Sequence, residues 1–137
     1  MNTPGANTVS AAQLAFSHMI SIARHIPQSH HSLKHDEGWE RKKYGDGSEL
    51  RGKVVGVVGC GQIGAQVARY GTSFGMRAIG FDPMIDAQDM SGMGITKVSF
   101  EDLLQEADFI SLHTPQRPET ENIINEESLK KCKVKEQ

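Results

Sequence analysis

Three observations predict an α/β fold built on a parallel sheet with helices on both faces. Short β-branched runs alternate with amphipathic helical stretches. The clearest run, Val54 to Val58, is apolar throughout rather than alternating, as in a strand buried on both faces. A glycine-rich turn then joins that run directly to a helical stretch. The 137 residues make one domain at most. A domain of this size buries roughly two-thirds of its unfolded surface, enough for a true core.

The first part of the chain reads as a helical lead-in. Ser10 and Gln13 have the spacing of a capping box, with Ser10 as N-cap. Leu14, Phe16, Met19, Ile20, Ala23 and Ile26 follow at helical spacing. Pro27 lacks an N–H and interrupts the pattern, then opens a second short helix as its first residue, running through Ser32 and Leu33 to Gly38. Glu40 to Gly52 is polar, contains glycine and reads as a loop. Residues 1–52 are thus expected to be lead-in and loop, and residues 53–137 the sheet-forming core.

Within that core, Lys53 to Val58 is the first strand. Ile63 to Phe74 is a helix stopped by Gly75. Met76 to Phe81 is a second strand, closed by Asp82-Pro83, and a connection rich in methionine and glycine leads to a weak third strand near Ile95 to Val98. Ser99 caps a helix from Phe100 to Ala107, with Asp102 at N3. Phe109 to His113 is the fourth strand, ended by Thr114-Pro115, and Asn125 caps a last helix from Glu126 to Cys132. Strands in this order are parallel and joined by right-handed crossovers. The fourth is expected beside the first, at an edge of the sheet that only later strands would cover.

Gly59-Cys60-Gly61-Gln62-Ile63-Gly64 is a G-x-G-x-x-G placed after a strand and opening a helix, the context that makes this spacing specific for a dinucleotide. It makes the fold Rossmann-type, with about four strands and hence an incomplete sheet. Gly59 allows the tight turn, Gly61 lets backbone approach a pyrophosphate, and Gly64 lets the helix pack on the strand. The diphosphate is expected on the free N–H groups near Gln62 and Ile63, at the positive end of the helix. Asp82 lies 18 residues beyond Gly64, at the carboxyl end of the second strand, where an acid accepts hydrogen bonds from the adenosine ribose and repels a 2′-phosphate. No arginine follows it closely, so the expected cofactor is NAD rather than NADP. His113 and Thr114 end the fourth strand and face the same crevice. Two readings of His113 stay open: a cofactor contact, or a structural histidine holding the loop through a backbone hydrogen bond. Thr114 is read as a hydroxyl donor to the cofactor.

Other features exclude alternatives. Lys+Arg 15 against Asp+Glu 17 gives a net charge of −2, with no footprint for nucleic acid or an anionic membrane surface. Arg41 to Lys43 and Lys130-Lys131 read as solvated faces. The first residues do not read as a secretory leader, so none is expected, and no apolar stretch comes near the roughly 20 residues of a membrane span. Two cysteines, Cys60 and Cys132, form no disulfide framework, and the expected setting is the reducing cytoplasm. His30, His31 and His35 read as a solvated helix face rather than a zinc site, and no metal is expected. Cys60 is read as filler in the turn, Met76, Met84, Met90 and Met93 as packing and loop residues, and Trp39 as docking the lead-in onto the domain.

The same residues resemble the D-2-hydroxyacid dehydrogenases. The resemblance is carried by Asn2-Thr3-Pro4, Ala23 to Gln28, Trp39 to Tyr44, Gly59 to Gly64, Ser73 to Met76, Asp82-Pro83 and His113-Thr114-Pro115. It covers nearly the whole chain, to about Lys133. The Trp39 to Tyr44 segment is particular to the members that oxidise 3-phosphoglycerate. The resemblance therefore implies hydride transfer from 3-phosphoglycerate to NAD, giving 3-phosphohydroxypyruvate, the first step of serine synthesis. It implies cofactor contacts at Gln62, Ile63, Asp82 and Thr114, which with the glycines, His113 and Pro115 complete the expected site. It also implies a small-molecule substrate in the full-length enzyme and a homo-oligomer formed through the cofactor domain.

The family's catalytic arginine and histidine–glutamate pair lie beyond the matched segment, and its substrate domain is built from chain on both sides of it. No catalytic residue is therefore assigned here, His113 not matching the catalytic histidine, and the chain alone is expected to be inactive. Val134 to Gln137 departs from the glycine-led strand that follows in the family, which reads as a fragment, a splice product or an incomplete gene model. The alternatives are another family member, such as a glyoxylate or hydroxypyruvate reductase, and a non-catalytic NAD-binding module.

Overall fold

A computed structural model describes residues 5–35 and 41–133. The readings placed on Asn2 to Pro4, Gly38, Trp39, Glu40 and Val134 to Gln137 lie outside the described residues. The elements run α1 (Thr8–Ala23), α2 (Ile26–His35), α3 (Arg41–Gly45), β1 (Val54–Val58), α4 (Gln62–Ser73), β2 (Arg77–Phe81), α5 (Ala87–Gly92), β3 (Thr96–Lys97), α6 (Phe100–Glu106), β4 (Phe109–Leu112) and α7 (Glu126–Lys131).

The four strands form one parallel sheet in the order β3-β2-β1-β4. Val57 of β1 pairs with Gly80 on one side and Ser111 on the other, which fixes the register. The uniform burial of β1 follows from its central place. Val55 and Val57 point into a core shared with α1 and α4, containing Phe16, Met19, Val67, Ala68 and Met90. Val54 and Val58 point to the other face, where Leu103 and Ala107 of the α6 region cover them. At Gly56 a Cβ would come 2.8 Å from Ala107 Cβ, so glycine there sets how closely α6 lies on the sheet.

The lead-in packs on the outside of this unit. Phe16 of α1 meets Tyr70 and Phe74 with ring centroids 5.8 and 5.1 Å apart, which docks α1 along α4.

Several elements differ from expectation. Ser10 does not cap α1: the helix begins at Thr8 with Asn7 as N-cap, and the Ser10 hydroxyl donates to Asn7 O at 3.0 Å. The turn that starts the helix is closed earlier, by Thr8 N–H donating to Gly5 O at 3.2 Å. The break between α1 and α2 lies ahead of Pro27, at Arg24 and His25, with His25 at φ 54°. Pro27 is then in the first turn of α2, where a missing N–H removes no helical hydrogen bond.

Arg41–Gly45 is a short helix within the expected loop. The expected connection after β2 holds α5, because Asp86 accepts from Asp89 N–H at 2.8 Å and Met90 buries itself against the core. Ser99 and Asn125 cap α6 and α7 as expected, and Ser128 completes a capping box with Asn125.

Candidate functional site

The chain leaves β1 toward β2 on one side and returns to β4 on the other, so the carboxyl end of β1 is where the sheet changes direction. Open α/β sheets bind ligands at that point. There the structure has a crevice of about 760 Å³, lined by Gly59, Gly61, Asp82, Met84, His113 and Thr114 together with the turn that follows them.

Three neighbouring strand ends build it. Gly59 N–H donates to Phe81 O at 2.9 Å, and His113 N–H donates to Val58 O at 2.8 Å, extending both ladders to the rim. Gly59 has φ +88°, and a Cβ there would lie 2.8 Å from the His113 carbonyl group. Both facts require glycine. At Gly64 a Cβ would overlap Gly59 O and lie 2.8 Å from Val57 Cγ1, so this position sets the contact of α4 with β1. Gly61 is different: a Cβ there would meet no atom within 4 Å. It is the N-cap of α4, with no side-chain cap hydrogen bond, so the first-turn N–H groups of α4 keep their donors for a ligand at the rim. That open cradle of donors fits an anionic diphosphate.

Asp82 does more than the sequence suggested. Its Oδ2 accepts from Cys60 N–H at 2.9 Å and its Oδ1 accepts from Met84 N–H at 2.8 Å. The carboxylate therefore clamps the glycine turn to the end of β2, with lone pairs left over for further donors. The signal was present in the parallel register, which sets Val58 beside Phe81 and so brings the turn level with Asp82.

His113 is half-buried, and its Nε2 shares a 2.8 Å hydrogen bond with Ser111 Oγ. The ring partner is thus a side chain rather than the backbone, on Ser111 of β4 two residues back. Burial pushes the imidazole pKa below its usual range, which favours the neutral ring. Thr114 is partly buried, Pro115 is exposed, and both line the crevice. Ile63 is partly buried behind the turn. The Gln62 side chain accepts from Thr8 Oγ1 at 3.1 Å, toward the start of α1.

Cys60 is fully buried beneath the turn, its Sγ 3.6 Å from Val57 O. Burial, reinforced by the Asp82 charge, pushes the thiol up to about 12, so its place is a packing one. His30, His31 and His35 are exposed on α2, the last two with ring centroids 4.8 Å apart. Among the described residues no group of three or more metal-ligating side chains comes together, and no helix is long and apolar enough to cross a membrane. Sequence reasoning missed Arg117, Pro118 and Glu119, which line the crevice from the turn after β4. Their signal was position, since that turn follows a strand ending at the rim.

A parallel sheet changing direction above a glycine turn, with an acid on the neighbouring strand, defines a dinucleotide-binding domain. Residues 16–136 match the D-isomer specific 2-hydroxyacid dehydrogenase, NAD binding domain. The chain belongs to that family, whose members are NAD-dependent oxidoreductases. It is 42% identical over 133 residues to D-3-phosphoglycerate dehydrogenase of Homo sapiens, covering 97% of this chain and 25% of that protein. It is 44% identical to D-3-phosphoglycerate dehydrogenase of Synechocystis, covering 97% of this chain and 24% of that protein. The chain thus spans about a quarter of the length of these relatives. Among solved structures, D-lactate dehydrogenase from Aquifex aeolicus, complexed with NAD and lactic acid, superposes with a TM-score of 0.85 at 30% identity, over 95% of this chain and 38% of that one.

Proposed function

We propose that this chain is the NAD-capturing part of a D-3-phosphoglycerate dehydrogenase, within a cofactor domain that spans the described residues. The reading rests on the crevice at the carboxyl end of β1, taken with the identity above 40% to enzymes of that name. The α4 N-terminus over Gly61, Gln62 and Ile63 holds the diphosphate. Gly59 and Gly64 shape the turn beneath it, and Asp82 accepts from the adenosine ribose. His113, Thr114 and Pro115 line the path toward the nicotinamide. Bound NAD supplies the hydride acceptor; the residues of this chain bind and orient it. The substrate, 3-phosphoglycerate, is read by residues of the full-length enzyme outside this segment. The full enzyme acts in the cytoplasm as a homo-oligomer, and the exposed Leu14 and Ile22 of α1 support self-association through this domain.

A second reading is that the chain by itself captures cofactor without turnover. It is favoured by the pairing of His113 with Ser111 rather than with a carboxylate that could support proton transfer. Mixing the purified chain with NAD and 3-phosphoglycerate and following NADH absorbance tests this, and turnover would overturn it. For cofactor capture, calorimetric titration with NAD is the test. Replacing Asp82 by Ala removes a charged hydrogen-bond acceptor, which costs about 1.5–3 kcal/mol of affinity. Unchanged affinity would remove Asp82 from the site.

A further inference from the structure

The crevice has a second wall, made by the turn after β4. Thr120 fixes that turn: its hydroxyl donates to Pro115 O at 2.6 Å and accepts from Arg117 N–H at 3.0 Å. Arg117 and Glu119 of this turn line the same crevice as Asp82 and Met84. Arg117 is the one arginine or lysine among the lining residues, and among the described residues no carboxylate pairs with it. The crevice thus sets a clamped carboxylate on one wall against an exposed, uncommitted guanidinium on the other.

We propose that Arg117 is a second cofactor-specificity residue, a guanidinium placed to pair with a phosphate on the adenosine ribose. A guanidinium binds phosphate through charge-assisted, often bidentate hydrogen bonds. In the native chain Asp82 prevails, because two backbone N–H groups hold its carboxylate rigid at the rim while Arg117 is exposed and screened. Discrimination against NADP therefore rests on Asp82, and Arg117 moderates it. Removing the Asp82 charge unmasks Arg117, and the crevice accepts NADP.

This inference rests on the adenosine end of the dinucleotide lying at Asp82. The test is calorimetric titration of the full chain with NAD and with NADP, comparing wild type, Asp82→Asn, Arg117→Ala and the double variant. Asparagine is chosen over alanine because its side-chain oxygen can still accept from Cys60 N–H. Asp82→Asn should bind NADP more tightly than wild type. Adding Arg117→Ala should reverse that gain by about tenfold, the effect of one charge-assisted hydrogen bond. Arg117→Ala alone should weaken NADP more than NAD, a comparison that holds even if the Asp82 variants fail to fold. Equal loss for both cofactors in that variant, or equal NADP affinity with and without Arg117 in the Asp82→Asn background, overturns the role of Arg117. Absence of NAD binding by folded wild type overturns the crevice reading itself, and this inference with it.

Discussion

Replacing Gly61 by alanine should separate cofactor capture from folding. Its backbone, φ −66° and ψ −165°, is open to any residue, and the added Cβ meets no atom within 4 Å. Alanine narrows the unfolded ensemble, which favours the fold by about 0.4–1 kcal/mol. It is also a poorer N-cap than glycine, by up to about 1 kcal/mol. The two effects nearly cancel, so the melting temperature should move by no more than a few degrees. NAD affinity should respond differently. A diphosphate seated on the first turn of α4 needs backbone within hydrogen-bond reach, and a methyl group there holds it off. Losing one charged hydrogen bond costs about 1.5–3 kcal/mol, about tenfold to a hundredfold in affinity. Gly64→Ala should do the reverse, because its Cβ overlaps Gly59 O and crowds Val57; overpacking of this kind costs about 1–3 kcal/mol of stability. Circular-dichroism melts and calorimetric NAD titrations of the two variants decide the matter. If Gly61→Ala binds NAD as wild type does, or Gly64→Ala melts as wild type does, the roles assigned to the two glycines are wrong.

The remaining predictions concern charge and the thiols. Burial alone would raise the Asp108 pKa, but Val54 N–H at 2.9 Å and Lys133 Nζ at 3.1 Å outweigh it and hold the carboxyl below its usual value. The carboxylate is favoured in the fold, so its stabilisation is present above the unfolded value near 3.9 and is lost as pH falls through the lowered folded value. Asp108→Ala should cost about 1.5–3 kcal/mol in a denaturant titration at neutral pH; an unchanged midpoint would refute the clamp on β1. His113, held neutral by burial, adds a loss on the acid side: stability should begin to fall as pH drops below the ordinary histidine value near 6.5. His113→Gln should flatten that portion of the stability–pH curve, and an unaltered curve would contradict the burial argument. With its thiol pushed up to about 12 and fully buried, Cys60 should resist alkylation while the partly exposed Cys132 reacts. Equal labelling of both cysteines in the folded chain would refute this.

Much of the architecture was legible because its signals are local. Val54 to Val58, the glycine turn and the caps at Ser99 and Asn125 are each specified by a few adjacent residues. Their agreement with the parallel order left few alternatives. What escaped depends on contacts between distant segments. The start of α1 is set by the turn at Gly5 rather than by the serine with the right spacing. The helix α5 sits in a stretch whose composition reads as loop until Met90 finds the core. In the site, the glycines and Asp82 stood out, but the two hydrogen bonds that Asp82 accepts from Cys60 N–H and Met84 N–H did not. Nor did the approach of Arg117, because both follow from how β1, β2 and β4 align their carboxyl ends.

The central claim is that NAD binds at the carboxyl end of β1. A titration of the isotopically labelled chain with NAD, followed by amide chemical shifts, tests it residue by residue. Saturable shifts should be largest at Gly61, Gln62 and Ile63, extend to Asp82, Met84 and Thr114, and leave the exposed face of α2 unmoved. A folded chain whose amides at the glycine turn stay still while NAD is added, or shift only at remote positions, would contradict the account.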